Sequence, residues 1–580
     1  MYGFAIPAAV PWLLAAVLAN DNISEPTSTY FSNSEIENGF APGYIFIAPY
    51  GPIQRGPYIY NKFGDLVWSG YDAAYQMNNT MDHKVCTYDG SDHLCMWRGS
   101  QKQGYGLGDG IIMNSSYQIV KTVACGNGKH ADIHEFNLIN GGKSALFTAY
   151  NWFQYDLAAF NITGFPTWIM QGVFQEVEVE TGTVLFEWSS IDHVSPANSY
   201  VAAGSSDVSG NGSAQAPWDY FHINAVDKSS ATGRYLISAR HTSSVYLISP
   251  DDGSIIWQLS SGGPGASFTS SGFNFSFQHD ARFILENSTH TIISLFDNAS
   301  NGFNRTATES SGMVIAINLD TKAATLVSQT FAPTPGGILS DSQGNSQVLA
   351  SGGVFHGWGS FPAISETNAA GEAVLYATFG AYPVMNYRAY TAPWVATPND
   401  KPALIAQPQQ QNASTALNVY ISWNGATEVQ SWRLWGSTSD SGPFHILGNV
   451  TKKGFETHFT HANYSSFIFA EAVGGSGESW ANSSVVPVDS LRRNGTTVIP
   501  SSVPESSSVA SSNSMSSTAL ATVVPGETAA TTVTTPDSTA TGPAPVATTS
   551  STAAALAQEA GPVGKTLALC IAVGVMFVFV

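Results

Sequence analysis

A short unit of strand, tight turn and strand recurs along the chain, and this repeat limits the folds that the sequence can adopt. In the clear copies the second strand ends near a tryptophan, and these copies are YIYNKFGDLVWSG (58–70), QEVEVETGTVLFEWSS (175–190) and VYLISPDDGSIIWQLSS (245–261). The weaker copies are VIAINLDTKAATLVSQ (314–329) and AISETNAAGEAVLYATF (363–379). Runs rich in β-branched and aromatic residues, broken by Gly, Asn, Asp and Pro, are typical of strands. Long helical periodicity is nearly absent, so the sequence predicts an all-β protein.

Irregularly spaced copies of such a unit are typical of a β-propeller, in which each blade is a four-stranded sheet. Residues 40–400 have room for about six blades, with five or seven as alternatives. A series of unrelated hairpins in β-sandwiches is the other architecture that fits the pattern.

The sequence changes character after a proline-containing stretch, TAPWVATPNDKPALIAQP (391–408). Short alternating strands follow at 409–487, and they predict a small β-sandwich of the fibronectin or immunoglobulin type. Residues 494–557 are mostly Ser, Thr, Ala, Val and Pro, which predicts a disordered stalk.

Both ends of the chain carry apolar segments. Residues 1–20 end in small residues and predict a signal peptide, although a basic n-region is missing. Residues 558–580 contain a spacer and the apolar tail TLALCIAVGVMFVFV, which follow a zone of small residues. This order predicts a glycolipid (GPI) attachment signal, with the attachment site near 550–555. A single membrane-spanning anchor is the alternative. We therefore expect an extracellular protein on the cell surface.

Charge is scarce, since only 11% of the residues are charged and the net charge is −20. This acidic balance argues against nucleic acid or anionic lipid as a partner. Asn-x-Ser/Thr triplets are abundant, and in a secretory context we expect them to carry glycans. They begin at Asn22, Asn78, Asn114, Asn161, Asn211, Asn274, Asn287, Asn298, Asn304, Asn412, Asn449, Asn463, Asn482 and Asn494.

The chain has four cysteines. Cys86 and Cys95 flank an Asp-Gly pair that is typical of a hairpin turn, so we expect a disulfide between them. Cys125 is then free, although pairings through Cys125 are alternatives. Cys570 lies in the apolar tail.

Three histidines follow aromatic or apolar runs. His222 lies in WDYFHINAVD, His279 in FSFQHDARF and His356 in GGVFHGWGS. Because first strands line the central channel of a propeller, we expect all three at the inner ends of first strands, where they would converge.

Further polar residues accompany these histidines. Arg240 and His241 interrupt the strand-like run YLISARHTSSVYLI, and Arg388 lies in NYRAYTAPW. Asp280 and Arg282 are two residues apart on one strand, so they share a face, and a structural ion pair is the favoured reading. A role of Asp280 in fixing a histidine tautomer is the alternative.

Imidazoles and guanidinium groups around a channel suit two chemistries. One is a metal site, because imidazole is a common ligand of transition metals, but the sequence has no H-E-x-x-H and no cysteine cluster. The other is transfer of an anionic group, in which one neutral imidazole attacks while the other groups hold the anion. The sequence has no G-x-S-x-G motif and no phosphate-binding glycine loop.

The segments DYFHINAVDK, YLISARHTSSVYLISPDDGSIIWQLSSGG and FSFQHDARFI, in this order, resemble the arylsulfotransferase family and in particular its fungal secreted branch. The resemblance runs from Tyr44 to Trp394, and F-Q-H-D-A-R is its most specific part. It implies a six-bladed propeller and an enzyme that moves a sulfuryl group between phenols through a sulfated histidine, without a nucleotide.

The resemblance also implies roles for individual residues. His222 and His279 would bind and polarise the sulfate, and Arg240 or Arg282 would be the sulfate-binding arginine. His356 lies at a plausible distance for the sulfated histidine, but its surroundings depart from the bacterial pattern. His241 and Arg388 would support the site.

We therefore expect a nucleotide-independent aryl-sulfate sulfotransferase that needs no cofactor and no metal and whose partners are aryl sulfates and phenols. A non-catalytic propeller that binds a wall polysaccharide or a protein is the alternative. A metal-dependent lactonase-like or oxidase propeller is the third possibility.

Overall fold

A computed structural model describes residues 39–51, 54–71, 79–205, 209–260, 264–411 and 414–488. The described chain is built from β-strands, which confirms the all-β prediction. Helical structure in these ranges is limited to short 3₁₀ turns at Asn140–Gly142, Ala158–Phe160, Ser190–Asp192 and Pro196–Asn198. Within the described ranges, no helix has the length and apolar character needed to cross a bilayer. The predicted signal peptide, stalk and C-terminal signal lie outside these ranges.

Six four-stranded antiparallel sheets follow one another along the described chain between residues 44 and 392. Sheet I contains β1 (Tyr44–Ile47), β3 (Tyr58–Tyr60), β4 (Leu66–Ser69) and β28 (Tyr390–Ala392). Sheet II contains β5 (Thr80–Tyr88), β6 (Ser91–Gln101), β7 (Gly106–Met113) and β8 (Ile119–Val123). Sheet III contains β9 (Phe136–Ile139), β10 (Ser144–Gln154), β11 (Trp168–Glu178) and β12 (Val184–Ser189), with β13 (Trp218–Asp219) beside β11.

The remaining sheets of this region repeat the pattern. Sheet IV contains β14 (Ile223–Lys228), β15 (Tyr235–Ala239), β16 (Ser244–Ile248) and β17 (Ile255–Ser260). Sheet V contains β19 (His279–Glu286), β20 (His290–Asp297), β21 (Ser311–Asn318) and β22 (Ala323–Phe331), with β18 (Thr269–Ser271) along β22. Sheet VI contains β23 (Asn345–Val348), β24 (Val354–Gly357), β25 (Ala363–Thr367) and β26 (Ala373–Thr378). A separate pair joins β2 (Pro49–Tyr50) to β27 (Met385–Asn386).

Each sheet packs on the next through its own apolar cluster, and sheet VI packs on sheet I. The tryptophan that closes each clear copy of the repeat lies in one of these clusters. Trp68 lies between sheets I and II, Trp188 between III and IV, and Trp257 between IV and V. The repeat therefore exists because the outer strands of each sheet must supply a large apolar side chain to the next sheet.

The repeat units are the third and fourth strands of five sheets. In four of them a turn glycine takes positive φ, for example 73° at Gly182 and 73° at Gly253, which glycine adopts without steric cost, and in sheet V Lys322 takes this angle. The corresponding pair in sheet II, β7 and β8, was not recognised from the sequence, and in its turn, which has no glycine, Tyr117 takes the positive φ of 62°.

β1 pairs with β28, so the two ends of the region meet in one sheet. The register joins Tyr44 to Ala392, and the Thr391 hydroxyl donates to the Tyr44 carbonyl oxygen at 3.0 Å. The first strands β28, β5 and β9 also contact one another in sequence, as do β14, β19 and β23. The six sheets thus form a closed ring around an axis lined by first strands.

Two further sheets follow this ring. One contains β29 (Ala403–Gln411), β30 (Ser414–Ser422) and β33 (Glu456–His461). The other contains β32 (His445–Thr451), β31 (Ser431–Ser437), β34 (Phe467–Val473) and β35 (Ser479–Asn482), with β36 (Val486–Pro487) beside β34. They share one apolar core that includes Val419, Trp432 and Ile468. Strand β29 starts at Ala403, before the predicted boundary at 409. It contains Pro408, which is tolerated there because β29 is an edge strand.

The β5–β6 hairpin holds a disulfide between Cys86 and Cys95, whose Cα atoms are 5.8 Å apart. The turn between the strands is Asp89-Gly90, and both residues have positive φ, 48° and 72°. Such a pair of angles is typical of a two-residue hairpin turn. Cys125 is a free cysteine, and burial raises the pKa of its thiol.

We expect Trp188→Ala to lower the free energy of unfolding by about 3–5 kcal/mol, because it removes a large side chain packed between sheets III and IV and leaves a cavity there. The Trp188 ring stacks on Phe174 with 5.8 Å between centroids, and its Nε1 donates to the Gly253 carbonyl oxygen at 3.0 Å. Urea unfolding followed by circular dichroism measures the change. The matched control is Trp480→Ala, which truncates a 40% exposed side chain and should change stability by under about 1 kcal/mol. Equal losses in the two variants would contradict this account of the packing.

Candidate active site

Three buried histidines stand where first strands begin. His134 lies two residues before β9, His222 directly before β14, and His279 is the first residue of β19. First strands of successive sheets run in the same direction, so their starting ends meet at one mouth of the channel. The ring centroids of His134 and His222 are 4.9 Å apart, and His222 stacks on His241 at 4.6 Å.

A β-bulge at the start of β19 aims its polar side chains in different directions. The pairing with β20 shifts between His279 and Arg282, and Asp280 has a φ of 56°. The first strands β5 and β14 carry similar shifts near their starts. Bulges re-aim side chains and are frequent beside active sites. Here the bulge separates His279, which faces the histidine cluster, from Asp280 and Arg282, which face the channel interior.

The tautomer of His279 is fixed by its neighbours. Both Nδ2 protons of Asn298 are donated to carbonyl oxygens, those of Ser340 at 3.0 Å and Gln343 at 2.9 Å. The Oδ1 atom of Asn298 must therefore accept from Nδ1 of His279, which lies 2.6 Å away. The Nε2 atom of His279 carries the lone pair and accepts a 3.2 Å hydrogen bond from the Gln343 backbone N–H.

Carboxylates hold the other two first-strand histidines in the same tautomer. Asp219 Oδ2 lies 2.5 Å from Nδ1 of His222, and Asp132 Oδ2 is hydrogen-bonded to Nδ1 of His134. Since a carboxylate can only accept, Nδ1 donates in both pairs, which leaves Nε2 as the ring nitrogen that can meet a ligand.

Arg240 brings a buried positive charge to this cluster. One guanidinium nitrogen donates to the Asp341 carbonyl oxygen at 2.9 Å, and the other donates to Nε2 of His241 at 2.9 Å. His241 in turn donates from Nδ1 to the Asp219 carbonyl oxygen at 2.6 Å. His241 thus orients the guanidinium rather than facing a ligand.

Burial keeps His222, His241 and His279 neutral. Desolvation, together with the positive charge of Arg240, lowers the pKa of His279 well below its ordinary value. Desolvation and the neighbouring His134 and Arg240 do the same to the pKa of His222. The pKa of His241 falls to about 3, again mainly through burial. The cluster therefore offers neutral nitrogen lone pairs beside a guanidinium, an arrangement suited to an anion with an electrophilic centre.

A ring of ion pairs lies next along the channel. Arg388 contacts Asp82 at 3.2 Å, Glu135 at 3.4 Å and Asp280 at 3.2 Å. Arg282 contacts Glu135 at 2.7 Å and Asp280 at 2.7 Å. Asp280 and Arg282 thus form an ion pair with each other, which is the arrangement favoured from the sequence. Arg388, which was expected to support the site, pairs with the carboxylates of this ring instead.

Lys84 completes this ring of three cations and three carboxylates through a 2.5 Å contact with Asp82. On its other side the ring borders a cavity of about 490 Å³, lined by Lys84, Arg282, Ser346 and Tyr390 among others. The positive charges of the ring are neutralised by its own carboxylates. The positive charge at the histidine cluster therefore comes from Arg240.

His356 is not part of the histidine cluster, and the prediction that it lies at the inner end of a first strand is wrong. It lies on β24, the second strand of sheet VI, where it stacks on Trp358 at 5.3 Å and approaches the Ser346 hydroxyl at 3.5 Å. Desolvation alone lowers its pKa to about 3. His356 was placed with His222 and His279 because it too follows an apolar run, but such a run occurs in second strands as well as in first strands.

A family model described as arylsulfotransferase (ASST) matches residues 84–380. The chain belongs to the arylsulfotransferase family. No curated protein matches it. The fungal secreted branch is a finer assignment than this match supplies.

Solved structures similar to the chain share little sequence with it. Dihydro-heme d1 dehydrogenase NirN is 10% identical over 81% of this chain and 76% of its own, with a TM-score of 0.25. Sucrose-6-phosphate hydrolase from Lactobacillus gasseri is 11% identical over 70% of this chain and 86% of its own, with a TM-score of 0.26. Pyrococcus horikoshii acylaminoacyl peptidase is 10% identical over 73% and 54%, with a TM-score of 0.25. TM-scores this low carry no argument about function.

A cation does not suit the cluster of this arylsulfotransferase-family chain. Asp219, His222 and His241 bring potential ligand atoms within 4.8 Å of one another. However, Nδ1 of both histidines is already a hydrogen-bond donor, and Arg240 occupies Nε2 of His241. A metal ion there would have to displace these bonds beside a guanidinium charge.

Two residues of the site escaped the sequence analysis. His134 lies in ADIHEF, where an Asp two residues before a His just ahead of a strand is the available signal; in the His222 segment the Asp, Asp219, lies three residues before the His. Asn298 was taken for a glycosylation site, but it is fully buried and bonded to His279, so it is not available to a glycan. Exposed expected sites are Asn161, Asn211, Asn274, Asn287, Asn304, Asn449, Asn463 and Asn482. Asn114 is half-buried, and the sites outside the described residues are Asn22, Asn78, Asn412 and Asn494.

We expect His356→Gln to reduce the acid sensitivity of the fold. A histidine whose folded pKa is lowered stabilises the protein above its unfolded pKa near 6.5, and this stability is lost as pH falls from there towards the folded pKa. The free energy of unfolding of the wild type, compared at pH 7.5 and pH 5, should therefore fall by about 2 kcal/mol more than that of the variant. Urea titrations at the two pH values measure this difference. His445→Gln, at an exposed position, is the control, and an unchanged pH dependence in His356→Gln would contradict the prediction.

Proposed function

We propose that this protein transfers a sulfuryl group from an aryl sulfate to a phenol through a sulfohistidine. The observation that carries the proposal is the set of neutral imidazoles with Nε2 lone pairs beside the buried Arg240 guanidinium. Membership of the arylsulfotransferase family supports aryl sulfates and phenols as the substrates. No cofactor enters the scheme.

His279 is the nucleophile in this proposal. Its Nδ1 partner is the neutral amide of Asn298, whereas His134 faces the carboxylate of Asp132, which stabilises a protonated imidazole. An imidazole that stays unprotonated keeps its lone pair for attack. The Gln343 N–H that now donates to Nε2 can donate instead to a sulfuryl oxygen when the nitrogen attacks.

Arg240 holds the sulfate in this scheme, and His134, whose imidazolium form is stabilised by Asp132, moves the proton. The Nε2–S bond forms as the bond from sulfur to the aryl oxygen breaks, and the phenolate takes a proton from Nε2 of protonated His134. In the second half-reaction, neutral His134 removes the proton of the acceptor phenol, whose oxygen attacks sulfur and releases His279. Two half-reactions at one site imply ping-pong kinetics.

The architecture proposed for this chemistry is a six-bladed β-propeller followed by a β-sandwich. Six consecutive four-stranded sheets, the packing of sheet VI on sheet I and the β1–β28 pairing support the propeller. Two sheets around one core between 403 and 487 support the sandwich.

We further propose a secreted, surface-anchored glycoprotein of the fungal branch. The support is the apolar segment at 1–20, the small-residue zone and tail at the C-terminus, and the exposed Asn-x-Ser/Thr sites. The Cys86–Cys95 disulfide also suits an oxidising compartment.

We expect nucleotide-free release of nitrophenolate from p-nitrophenyl sulfate to depend on a phenol acceptor and on His279. His279→Ala should lower kcat/KM by about 10³-fold or more, because no covalent intermediate can form. His445→Ala serves as the matched control at an exposed position, and His356→Ala should retain turnover if it folds. Absence of release by the folded wild type, across aryl sulfates and acceptors, would favour the non-catalytic binding propeller.

We expect Asn298→Asp to add an acid limb to the pH–rate profile. A carboxylate opposite Nδ1 raises the pKa of His279, so the imidazole becomes protonated, and loses its lone pair, at a higher pH than in the wild type. Values of kcat/KM between pH 5 and pH 8 measure the shift, and Asn482→Asp at an exposed site is the control. Parallel profiles for the wild type and Asn298→Asp would exclude His279 as the nucleophile.

A further inference from the structure

A continuous series of aromatic rings leads from the histidine cluster to the protein surface. The His134 ring lies 5.8 Å from Tyr150, Tyr150 lies 6.1 Å from Tyr105, and Tyr105 lies 5.8 Å from Trp152, measured between centroids. Exposure increases along the series, since Tyr150 is 7% exposed, Tyr105 is half-buried and Trp152 is 36% exposed. The series therefore starts at the reacting groups and ends in solvent.

The hairpin of β10 and β11 carries Trp152 beyond the body of sheet III. Residues 144–150 of β10 are buried, whereas Asn151, Trp152 and Gln154 are exposed although they still pair with β11. The exposed end of this hairpin is not required for the packing of sheet III. This end places an indole beside Tyr105, at the same mouth of the channel as the histidines.

Tyr105 is tied to the catalytic groups through the backbone. It lies in the turn between β6 and β7, where its carbonyl oxygen accepts from the Lys102 N–H at 2.8 Å. The next residue, Gly106, donates its N–H to Asp132 at 2.6 Å, and the same Asp132 holds His134. The position of the Tyr105 ring is thus coupled to the position of the proposed proton-transfer histidine.

Tyr150 has a different role from the two outer rings. Its hydroxyl donates to the Ile223 carbonyl oxygen at 2.7 Å, and its ring is packed in the core between sheets III and IV. It forms the inner wall of the series. Tyr105 and Trp152 keep solvent-accessible ring surface for a planar group.

We infer that Tyr105 and Trp152 form a subsite for a second aromatic ring of the substrate, so that the enzyme favours phenols and aryl sulfates with extended ring systems. The inference rests on the proposed sulfuryl transfer. With the reacting oxygen at the histidine cluster, a single ring reaches Tyr150, and a fused or conjugated second ring extends to Tyr105 and Trp152. Stacking on an aromatic side chain favours the larger substrate by roughly tenfold.

The test compares 4-methylumbelliferyl sulfate, which has two fused rings, with p-nitrophenyl sulfate, which has one. Trp152→Ala and Tyr105→Ala should each lower the ratio of the two kcat/KM values by about 3- to 10-fold, mainly through KM, while Trp152→Phe restores it. Trp480→Ala truncates a tryptophan of similar exposure in the second part of the chain and should leave the ratio unchanged. An unchanged ratio in both Trp152→Ala and Tyr105→Ala would overturn the subsite and leave the transferase function standing.

Calorimetric titration with 2-naphthol and with phenol separates this inference from the proposed function. Preferential binding of 2-naphthol that is lost in Trp152→Ala supports the subsite even if the wild type turns over no aryl sulfate. Equal binding of both phenols by the wild type, or preference retained in Trp152→Ala and Tyr105→Ala, overturns it.

Discussion

The pairing of β1 with β28 is the contact on which the rest of this structure depends. It joins residues 347 positions apart in the chain, through Thr391 and Tyr44, and it lets sheet VI pack on sheet I. Without closure, the first strands would line no common axis, and the histidines that precede or begin them would not meet. Closure also places Arg388, two residues before β28, in the ring of ion pairs with the first strands of sheets II, III and V.

Burial shapes the chemistry of the channel in two opposite ways. The ion-pair ring contains three cations and three carboxylates that lie on or beside the first strands of sheets I, II, III and V, and mutual contact compensates for their desolvation. In the histidine cluster, the same desolvation keeps the imidazoles neutral, while Arg240 supplies positive charge. The β-bulge at the start of β19 separates these two environments within four residues, because it turns His279 towards one and Asp280 and Arg282 towards the other. This division explains why a single short segment carries so many polar groups.

Local patterns predicted the elements well and the site only in part. The repeat unit located the outer strands of five sheets, because tight turns and the apolar residues that close the second strand act within a dozen residues, and the sheet II pair was missed. His222, His279 and Arg240 were expected at one site and lie there. His134 was missed, since Asp-x-His is too short to stand out, and His356 was misplaced, since first and second strands have the same local pattern. Asn298 shows the same limit, because a triplet does not reveal that its side chain is buried beside His279.

The sequence by itself determined the all-β class, the positions of most turns and the presence of imidazole and guanidinium groups for anion chemistry. These properties follow from interactions between residues close in the chain. Only the tertiary structure decided which of those groups meet, which tautomer each histidine takes and which arginines are already paired with carboxylates. Such properties depend on contacts between sheets far apart in sequence and on burial away from water, and a local pattern carries no information about either.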